Sequence, residues 1–498
     1  MRTTLLERLA LRVVAALERY LPDALIFALL ATGLVLLAAL GLAPSGQSRL
    51  ELCGKLIDGW GSGFFSLLPF TLQMVMIIIC GHTVASAPPI KRLLYRLAAV
   101  PVTARGAVAW VTLIALVTSW FNWGFSLIFS ALLARAVAQN LQRRGTAVDY
   151  RALAAASFLG LGSIWAQGLS GSAALQMATP GTLSESLRRI VDWGGEAGAA
   201  AGAPVWNRWG SGVIPLSQTI FLWQSLLAVG VELVLVTLLM WRAAPRGEQA
   251  VTAAALGISL EDEPPAGSAA ERAGEPSRTA LRPGERWEHS PILTALFVAI
   301  GAAYLWRYVR AARSPLEAIH LNTINLTLLL LGAALHRTPA RLMRAFATGT
   351  QAVWGVLLQF PFYGAIAGML SASALNQKIA AVFVSASTQA TLPPLIALYS
   401  ALLGVLVPSG GGKWLIEAPY VLTAAHQMKV HLGWMVAVYD LGEALANLVQ
   451  PFWMLPVLAL LGLRARDVMG YTFLVFLFLL PTVLLLTLVL GLTLSYPL

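Results

Sequence analysis

Long apolar runs separated by short basic segments dominate the chain. A helix rises 1.5 Å per residue, so about 20 apolar residues are needed to cross a hydrocarbon core of about 30 Å. Unbroken spans are predicted at residues 24–43, 64–86, 213–241, 290–307, 321–336, 352–371 and 470–494. The pattern therefore predicts an all-α polytopic membrane protein.

Four further apolar runs are interrupted by residues that break helices. They are 106–140, interrupted at Phe121-Asn122-Trp123-Gly124; 151–183, at Ser170-Gly171-Ser172; 392–428, at Pro408-Ser409-Gly410-Gly411-Gly412; and 432–462, at Gln450-Pro451. Glycine clusters cannot hold a helix, because glycine loses too much backbone entropy there. Irregular backbone persists in a membrane only where it is buried in protein or lines a wet cavity. The breaks are therefore predicted to form a binding site.

Two of the interrupted runs are predicted to be re-entrant helical hairpins. The first arm of 106–140 has about 15 residues, roughly 22 Å, which is too short to cross the membrane. Basic residues lie at both ends of this run, so it should enter and leave on the cytoplasmic side. The first arm of 392–428 is also short and predicts a second hairpin, on the outer side.

The two halves share an order of parts, which predicts two inverted repeats, each with a hairpin and a broken helix. This prediction rests on the similar spacing of the parts in each half, because sequence identity between the halves is weak. The predicted divisions are a cytoplasmic amphipathic helix at 1–23, a first repeat at 24–241, a cytoplasmic linker at 242–289, a connecting transmembrane helix at 290–320 and a second repeat at 321–498.

Composition agrees with the hydropathy pattern. Hydrophobic residues make up 58% of the 498 residues and charged residues only 11%, against about a quarter charged in soluble domains. The net charge of +11 comes from Lys and Arg at the ends of apolar runs, the positive-inside pattern, and not from a nucleic-acid-binding face. It places the N-terminus in the cytoplasm, although Arg307, Arg310 and Arg313 then fall outside. Cys53 and Cys80 form no disulfide framework.

The helix that follows each hairpin break is predicted to bind an anion. Its first amide N–H groups have no partner within the helix and carry the positive end of the helix dipole. Neutral hydroxyl and amide side chains near the breaks suit a small carboxylate. The predicted substrate-binding residues are Asn122, Trp123, Gly124, Ser126, Ser170, Gly171, Ser172, Thr179, Ser409, Gly410, Gly411, Gly412, Lys413, Asn447 and Gln450. The alternative is that the glycines serve close helix packing.

Three acidic residues are candidates for ion coupling. Glu417 lies four residues after Lys413, so the two can pair on one helix face, as a functional or a self-neutralising structural pair. Asp440 and Glu443 share a helix face with Asn447 and Gln450. Burial disfavours a charged carboxyl, which suits Glu443 as a proton carrier. A fixed structural hydrogen bond is the alternative.

Enzyme chemistry has little support in the sequence. Gly412-Lys413 is not part of a phosphate-binding loop, since Val407 and Trp414 occupy positions that need Gly and Ser or Thr. The six histidines show no metal-binding spacing. No metal and no other cofactor is therefore predicted.

Several motifs resemble the short-chain fatty acid transporter family, the uptake carriers for butyrate and acetoacetate. They are FNWGFS (121–126), SGSAALQMATPG (170–181), VPSGGGKW (407–414), NLVQPFWMLP (447–456) and RDVMGY (466–471). The resemblance runs from residue 21 to the last span. It departs from the family pattern at Lys413, where an uncharged or histidine side chain is expected, and at Glu417, where Gln is expected.

The resemblance implies a secondary carrier of short-chain fatty acid anions in the bacterial inner membrane, within a larger group whose relatives use paired hairpins and an elevator motion. Our interpretation is a proton- or sodium-coupled importer of monocarboxylates. The alternatives from other classes are an anion channel and a non-transporting membrane scaffold. The sequence leaves open which acid is carried, which ion couples and whether the protein is a homodimer.

Overall fold

The computed structural model describes residues 24–43, 48–179, 213–245, 247–260, 282–312, 318–350, 353–373, 375–406 and 410–496. Within these ranges the regular structure is helical and there is no β-strand. Among the described residues, eight helical segments are long and apolar enough to cross a membrane: 49–85, 104–121, 123–143, 150–178, 223–243, 291–311, 354–371 and 465–491. The predicted fold class, an all-α polytopic membrane protein, is confirmed. The predicted helix at 1–23 lies outside the described residues.

The first half and the connection contain eleven described α-helices. They are α1 (Ala24–Gly41), α2 (Arg49–Ser66), α3 (Leu68–Ala85), α4 (Pro88–Ala98), α5 (Ala104–Phe121), α6 (Trp123–Arg143), α7 (Tyr150–Leu159), α8 (Ser172–Ala178), α9 (Trp223–Ala243), α10 (Pro283–Glu288) and α11 (Pro291–Ala311). Between α7 and α8 the chain forms a π-helical turn at Gly160–Ile164 and a 3₁₀ turn at Trp165–Gln167. The break predicted at residues 170–172 is therefore wider than expected.

The second half contains nine described α-helices. They are α12 (Leu321–His336), α13 (Pro339–Thr350), α14 (Trp354–Ser371), α15 (Leu375–Ala386), α16 (Leu392–Leu406), α17 (Gly410–Gln427), α18 (Leu432–Ala446), α19 (Leu455–Leu461) and α20 (Ala465–Gly491). The second broken helix is thus α18 followed by α19, with a turn at 447–449 and a 3₁₀ turn at Phe452–Met454 between them.

The order of helices from α3 to α9 recurs from α14 to α20. Each series has a span, a short helix, two arms, a broken helix in two parts and a long final helix. The two final helices pack together. Gln224, near the start of α9, donates to Thr493 Oγ1, just past the end of α20, at 2.9 Å, so these helices are antiparallel. Inversion of one half relative to the other stays a prediction.

The arms of the first hairpin are longer than expected. Helix α5 has 18 residues and α6 has 21, about 27 Å and 31 Å at 1.5 Å per residue. Only Asn122 separates them, because its side chain accepts from Phe125 N and begins a new helix. The lengths allow full spans as well as a hairpin, so the re-entrant geometry stays a prediction.

Glycines bring α2 and α14 into close contact. A Cβ atom on Gly59 would lie 2.8 Å from the carbonyl oxygen of Gly368, and one on Gly63 would collide with the carbonyl of Gly364. Both pairs have the four-residue spacing of small-residue helix contacts in membranes. Residues 50–62, which mix polar and apolar side chains, are therefore part of a helix that packs tightly on the second half.

Part of the predicted linker lies against the helices. The amide of Tyr150 donates to the carbonyl of Val251 at 2.9 Å, and the amide of Val251 donates to Asp149 at 3.1 Å. Leu260 is buried, and its carbonyl accepts from Gln139 at 3.0 Å. Residues 247–260 are thus fixed to the start of α7 and to α6, although their sequence has no period.

Candidate functional site

A mainly apolar cleft lies where the helix breaks come together. It contains about 350 Å³ of space outside protein atoms, part of which is open solvent. Its lining consists of Met74, Ile78, Trp123, Leu161, Trp165, Ser172, Val356, Phe360, Gly410, Gly411 and Trp453. Residues from three of the predicted breaks, in the runs 106–140, 151–183 and 392–428, therefore share one cleft.

Aromatic rings connect the breaks across this cleft. The ring centroid of Trp123, at the start of α6, lies 6.0 Å from that of Trp165 and 5.4 Å from that of Trp453. A Cβ atom on Gly410, at the start of α17, would lie 2.7 Å from Trp165 Cη2. Trp165 thus contacts both helix starts that were predicted to bind substrate.

The start of α6 is satisfied mainly by protein groups. The amide of Trp123 donates to Ser170 Oγ at 2.9 Å, and Asn122 Oδ1 accepts from the amide of Phe125 at 2.7 Å. Ser126 Oγ donates to the carbonyl of Ala115 at 2.9 Å. These groups tie the arms and the broken helix together, so their geometry is that of a structural cap rather than of an open anion site.

Glycine at 124 serves a close approach of two helices. A Cβ atom there would lie 3.3 Å from the Cα of Ile78 in α3. At 411, a Cβ atom would lie 2.8 Å from Phe70 Cζ and 2.9 Å from Ser172 Cβ. At both positions a side chain would meet a neighbouring residue, so the alternative that these glycines serve close packing holds for both. Gly411 also lines the cleft.

Lys413 does not line the cleft but lies in a buried cluster of charges beside it. Its ammonium group forms an ion pair with Glu443 and lies 3.5 Å from Glu417 Oε1. It also donates to the carbonyl of Ser400 at 2.6 Å and lies 4.9 Å from the ring centroid of Tyr439. Lys413 and Glu417 are fully buried, and Glu443 is 1% exposed.

This cluster is directly behind the start of α17. A Cβ atom on Gly410 would lie 3.2 Å from Glu443 Cγ, and the carbonyl of Gly410 accepts from Tyr439 Oη at 2.6 Å. The ion pair and the cleft therefore share the backbone of Gly410. A change in the charge of Glu443 would therefore occur next to Gly410, which lines the cleft.

The polar residues that were predicted to share one helix face at 440–450 make different contacts. Asp440 accepts a hydrogen bond from the backbone of Ala174, near the start of α8, where a negative charge is favourable. Asn447 donates to the carbonyl of Leu161 at 3.4 Å, and Gln450 donates to Asn447 at 2.9 Å. These three residues hold the two broken helices together, while Glu443 faces the lysine.

The other predicted site residues have separate positions. Thr179 Oγ1 donates to the carbonyl of Leu175 at 2.6 Å and lies past the end of α8. Gly171 precedes α8, and a Cβ atom there would collide with the carbonyl of Ala166. Gly412 is buried within α17 and is absent from the cleft lining. Ser409 lies outside the described residues.

Sequence reasoning missed two features of the interior. Trp165 was not selected, although a tryptophan five residues before a predicted break was a usable signal. Glu232 lies in the middle of the unbroken helix α9, where it is 1% exposed and accepts from Gln167 Nε2 at 3.1 Å to each oxygen. A lone acidic residue in an apolar span was the signal for it.

Two solved transporter structures share this fold over nearly the whole chain. MtrF of Neisseria gonorrhoeae, described among antimetabolite efflux pumps, has a TM-score of 0.55 and 13% identity, covering 96% of this chain and 98% of its own. The YdaH transporter of Alcanivorax borkumensis has a TM-score of 0.54 and 16% identity, covering 95% and 98%. At such identities the likeness shows the fold alone, which is the fold of multi-pass membrane transporters.

The chain belongs to the short-chain fatty acid transporter family, whose sequence model matches residues 5–493. A relative from Escherichia coli (strain K12) is 35% identical over 91% of this chain and 93% of its own length. One from Haemophilus influenzae is 30% identical over the same shares. Both are provisionally named short-chain fatty acid transporters. The resemblance found in the sequence is confirmed, and the protein is a membrane transporter rather than an enzyme.

Proposed function

We propose that the protein is a secondary active importer of short-chain fatty acid anions in the bacterial inner membrane, coupled to protons or sodium ions. Its family supports the substrate class. The cleft at the helix breaks supports the place of binding, because its apolar lining suits a short alkyl chain. To bind the carboxylate group as well, the cleft needs hydrogen-bond donors.

Two buried indole groups at the cleft would supply such donors, and their N–H groups, which are unpaired in the described part of the chain, are the observation that carries the proposal. Trp123 and Trp165 line the cleft and are 4% and 5% exposed. Neither Nε1 atom has a hydrogen-bond partner among the described residues. An unpaired buried N–H group is costly, because folding removes its hydrogen bond to water. A carboxylate in the cleft would accept from these groups and recover that loss.

The start of α17 adds positive electrostatic potential to the same place. Gly410 and Gly411 are its first residues and both line the cleft. Amide groups in the first turn of a helix have no partner within the helix and attract anions. We therefore place the carboxylate between the indoles and α17, with the alkyl chain among residues such as Met74 and Phe360.

The indole donors can be tested with Trp165→Phe and Trp123→Phe, which keep an aromatic ring and remove the N–H group. A hydrogen bond to a charged group contributes about 1.5–3 kcal/mol, so each change should weaken butyrate binding about 10- to 100-fold. Binding to the purified protein would be measured by calorimetry. Trp434→Phe is the matched control, since Trp434 is fully buried, lies outside the cleft lining and has no partner for its Nε1 among the described residues.

Equal affinity in Trp165→Phe, Trp123→Phe and the control would contradict the proposed carboxylate position. Weaker binding in the control as well would mean that the loss reflects general destabilisation.

For coupling we propose Glu443, with Lys413 as its counterion. Protonation of Glu443 would remove a charge next to Gly410 and free Lys413 to interact with the substrate charge. Glu443→Gln should keep exchange of substrate across proteoliposome membranes but lose accumulation driven by an ion gradient. If Glu443→Gln still accumulates substrate while Lys413→Ala exchanges it normally but does not accumulate it, coupling depends on Lys413 instead, because retained exchange shows that the variant is folded. Imposed pH and sodium gradients, applied separately, identify the ion.

An elevator motion is the proposed transport mechanism. Its support is the recurring order of helices in the two halves and the meeting of their breaks at one cleft. In this mechanism the arms and broken helices carry the cleft across the membrane against the remaining spans. Inverted repeats and re-entrant hairpins belong to this proposal.

A further inference from the structure

Glu232 is a buried carboxyl group outside the proposed substrate cleft. It is the tenth of the 21 residues of α9, so about 14–17 Å of helix lies on either side of it. Its side chain is therefore close to the middle of a membrane-spanning helix. Acidic residues at such depth are rare and by default functional.

Glu232 has one neutral partner and no cation beside it among the described residues. Gln167 Nε2 lies 3.1 Å from both carboxyl oxygens and 3.2 Å from the carbonyl of Ser163. Helix α9 packs against α5, α7, α20 and residues 160–164. The charged or titratable residues of these elements are Arg105, Tyr150, Arg151, Arg466, Asp467 and Tyr471.

These residues are grouped near the C-terminal end of α9. Arg105 donates to the carbonyl of Ala244, just past α9, and Arg151 pairs with Asp149 at the start of α7. Tyr150 Oη donates to the carbonyl of Leu461, close to the start of α20. None of these contacts reaches the middle of α9. An ionised Glu232 would thus be a charge in a low-dielectric interior without a counterion, which costs several kcal/mol.

The amide of Gln167 is suited to a protonated partner. Its Oε1 atom is buried and has no hydrogen-bond partner in the described part of the chain. A protonated carboxyl group has one O–H donor and a carbonyl acceptor, and a primary amide has the complementary groups. After a rotation of the Gln167 amide, the O–H group would donate to Oε1 while Nε2 donates to the carbonyl oxygen. Both buried groups would then be paired.

We infer that Glu232 is a proton-binding site in the interior of the membrane domain, and that Gln167 connects its state to the helix break. Gln167 is two residues from Trp165, which lines the cleft, and three from Ser170, which accepts from the amide of Trp123. Loss of the proton would leave a carboxylate that accepts only, so the Gln167 amide must turn its N–H groups toward it. That rearrangement occurs within the segment 160–171 that bears the cleft. A role in coupling rests on the proposed function, whereas proton binding does not.

Infrared spectroscopy of the full chain in lipid vesicles tests proton binding directly. A protonated carboxyl group has a carbonyl stretching band that is absent from carboxylates and shifts in D₂O. The spectrum at neutral pH should contain such a band, and Glu232→Gln should remove the component that Glu232 contributes, while any component from the buried carboxyl groups of Glu417, Asp440 and Glu443 remains. Gln167→Leu should shift the band, because it removes the hydrogen bond while the acid remains. Glu51→Gln is the control, since Glu51 is exposed and paired with Lys55, and should leave the band unchanged.

A neutral-pH band that persists unchanged in Glu232→Gln would overturn the inference. So would its loss on replacing choline chloride by sodium chloride at constant pH, because the site would then bind a cation. Glu232→Gln is close in shape to the protonated acid, so it should fold normally. Unaltered thermal unfolding in detergent verifies this, and Glu232→Met, an uncharged side chain of similar length, should remove the same component.

Transport assays separate this inference from the proposed function. In the wild type, the rate of butyrate exchange is expected to depend on pH. Glu232→Gln should retain butyrate exchange and lose this pH dependence. If the wild type transports no short-chain fatty acid, the proposed function fails while the infrared result still decides proton binding. If the wild type transports butyrate and the pH profile of Glu232→Gln is unchanged, the connection through Gln167 is wrong.

Discussion

The role of Lys413 is decided by the side chains around it. In the sequence it follows three glycines at a helix break, a position that suggests contact with an anionic substrate. In the structure its ammonium group is paired with Glu443, close to Glu417 and hydrogen-bonded to Ser400. A lysine with so many buried partners stabilises the start of α17 before any substrate binds.

Removing this lysine alone should strongly destabilise the protein. Lys413→Met leaves Glu417 and Glu443 buried without their cation, and breaking a buried ion pair typically costs about 3–5 kcal/mol. The triple change Lys413→Met, Glu417→Gln and Glu443→Gln removes all three charges and should recover most of this loss. The free energy of unfolding in detergent, measured by denaturant titration, compares the two.

A triple variant as unstable as Lys413→Met would contradict this account, since packing rather than charge would then explain the loss. Equal stability of Lys413→Met and the wild type would mean that the carboxyl groups are already neutral.

At the scale of elements, the contact between α2 and α14 depends on the absence of side chains. Gly63 and Gly364 approach so closely that a Cβ atom on either would collide with the other residue's carbonyl oxygen. Because lipid tails compete equally well for apolar surface, helices in a membrane associate through such close packing. The first and second halves are joined here by backbone contact.

Gly63→Val should separate these helices, whereas Gly54→Val in the same helix should not. A Cβ atom on Gly54 has no atom within 4 Å, so both changes add the same side chain to α2 and only one meets α14. Overpacking costs typically 1–3 kcal/mol, and more is expected against a rigid backbone. Thermal unfolding of the two variants in detergent measures the difference, and equal unfolding temperatures would refute the close contact.

At the scale of the whole molecule, the charge pattern predicts how the protein lies in the membrane. The end of α6 should face the cytoplasm, because basic residues gather there. The end of α11 should face the opposite side, although it carries Arg307 and Arg310. A helix of 21 residues in an apolar environment requires its two ends to be on different sides.

Labelling of single cysteines tests this orientation. In a background with Cys53→Ser and Cys80→Ala, the exposed residues Gln142 and Arg310 are replaced by cysteine one at a time. A membrane-impermeant maleimide should label position 310 in intact cells and position 142 only in inverted vesicles. Labelling of both positions from the same side would refute the predicted topology.

The sequence by itself determined the class of protein and the positions of the helix breaks. Both depend on local properties: hydropathy over a window of residues, and residues such as Asn122 that end one helix and cap the next. The expectation that the glycine cluster cannot be helical is wrong, because Gly410, Gly411 and Gly412 lie within α17. The starts of α6 and α17 and the broken helix at α18 follow from residues next to them in the chain. The family likewise followed from contiguous motifs.

Only the tertiary structure decided which polar groups meet. Trp165 contacts the start of α17 from a helix more than 200 residues earlier, and Glu232 meets Gln167 across 65 residues. Such pairs carry no local signal, because their energy arises only when both groups leave water together. For the same reason the sequence could name Lys413, Asp440 and Glu443 as important. It could not tell that the first pairs with the third while Asp440 accepts from the backbone of α8.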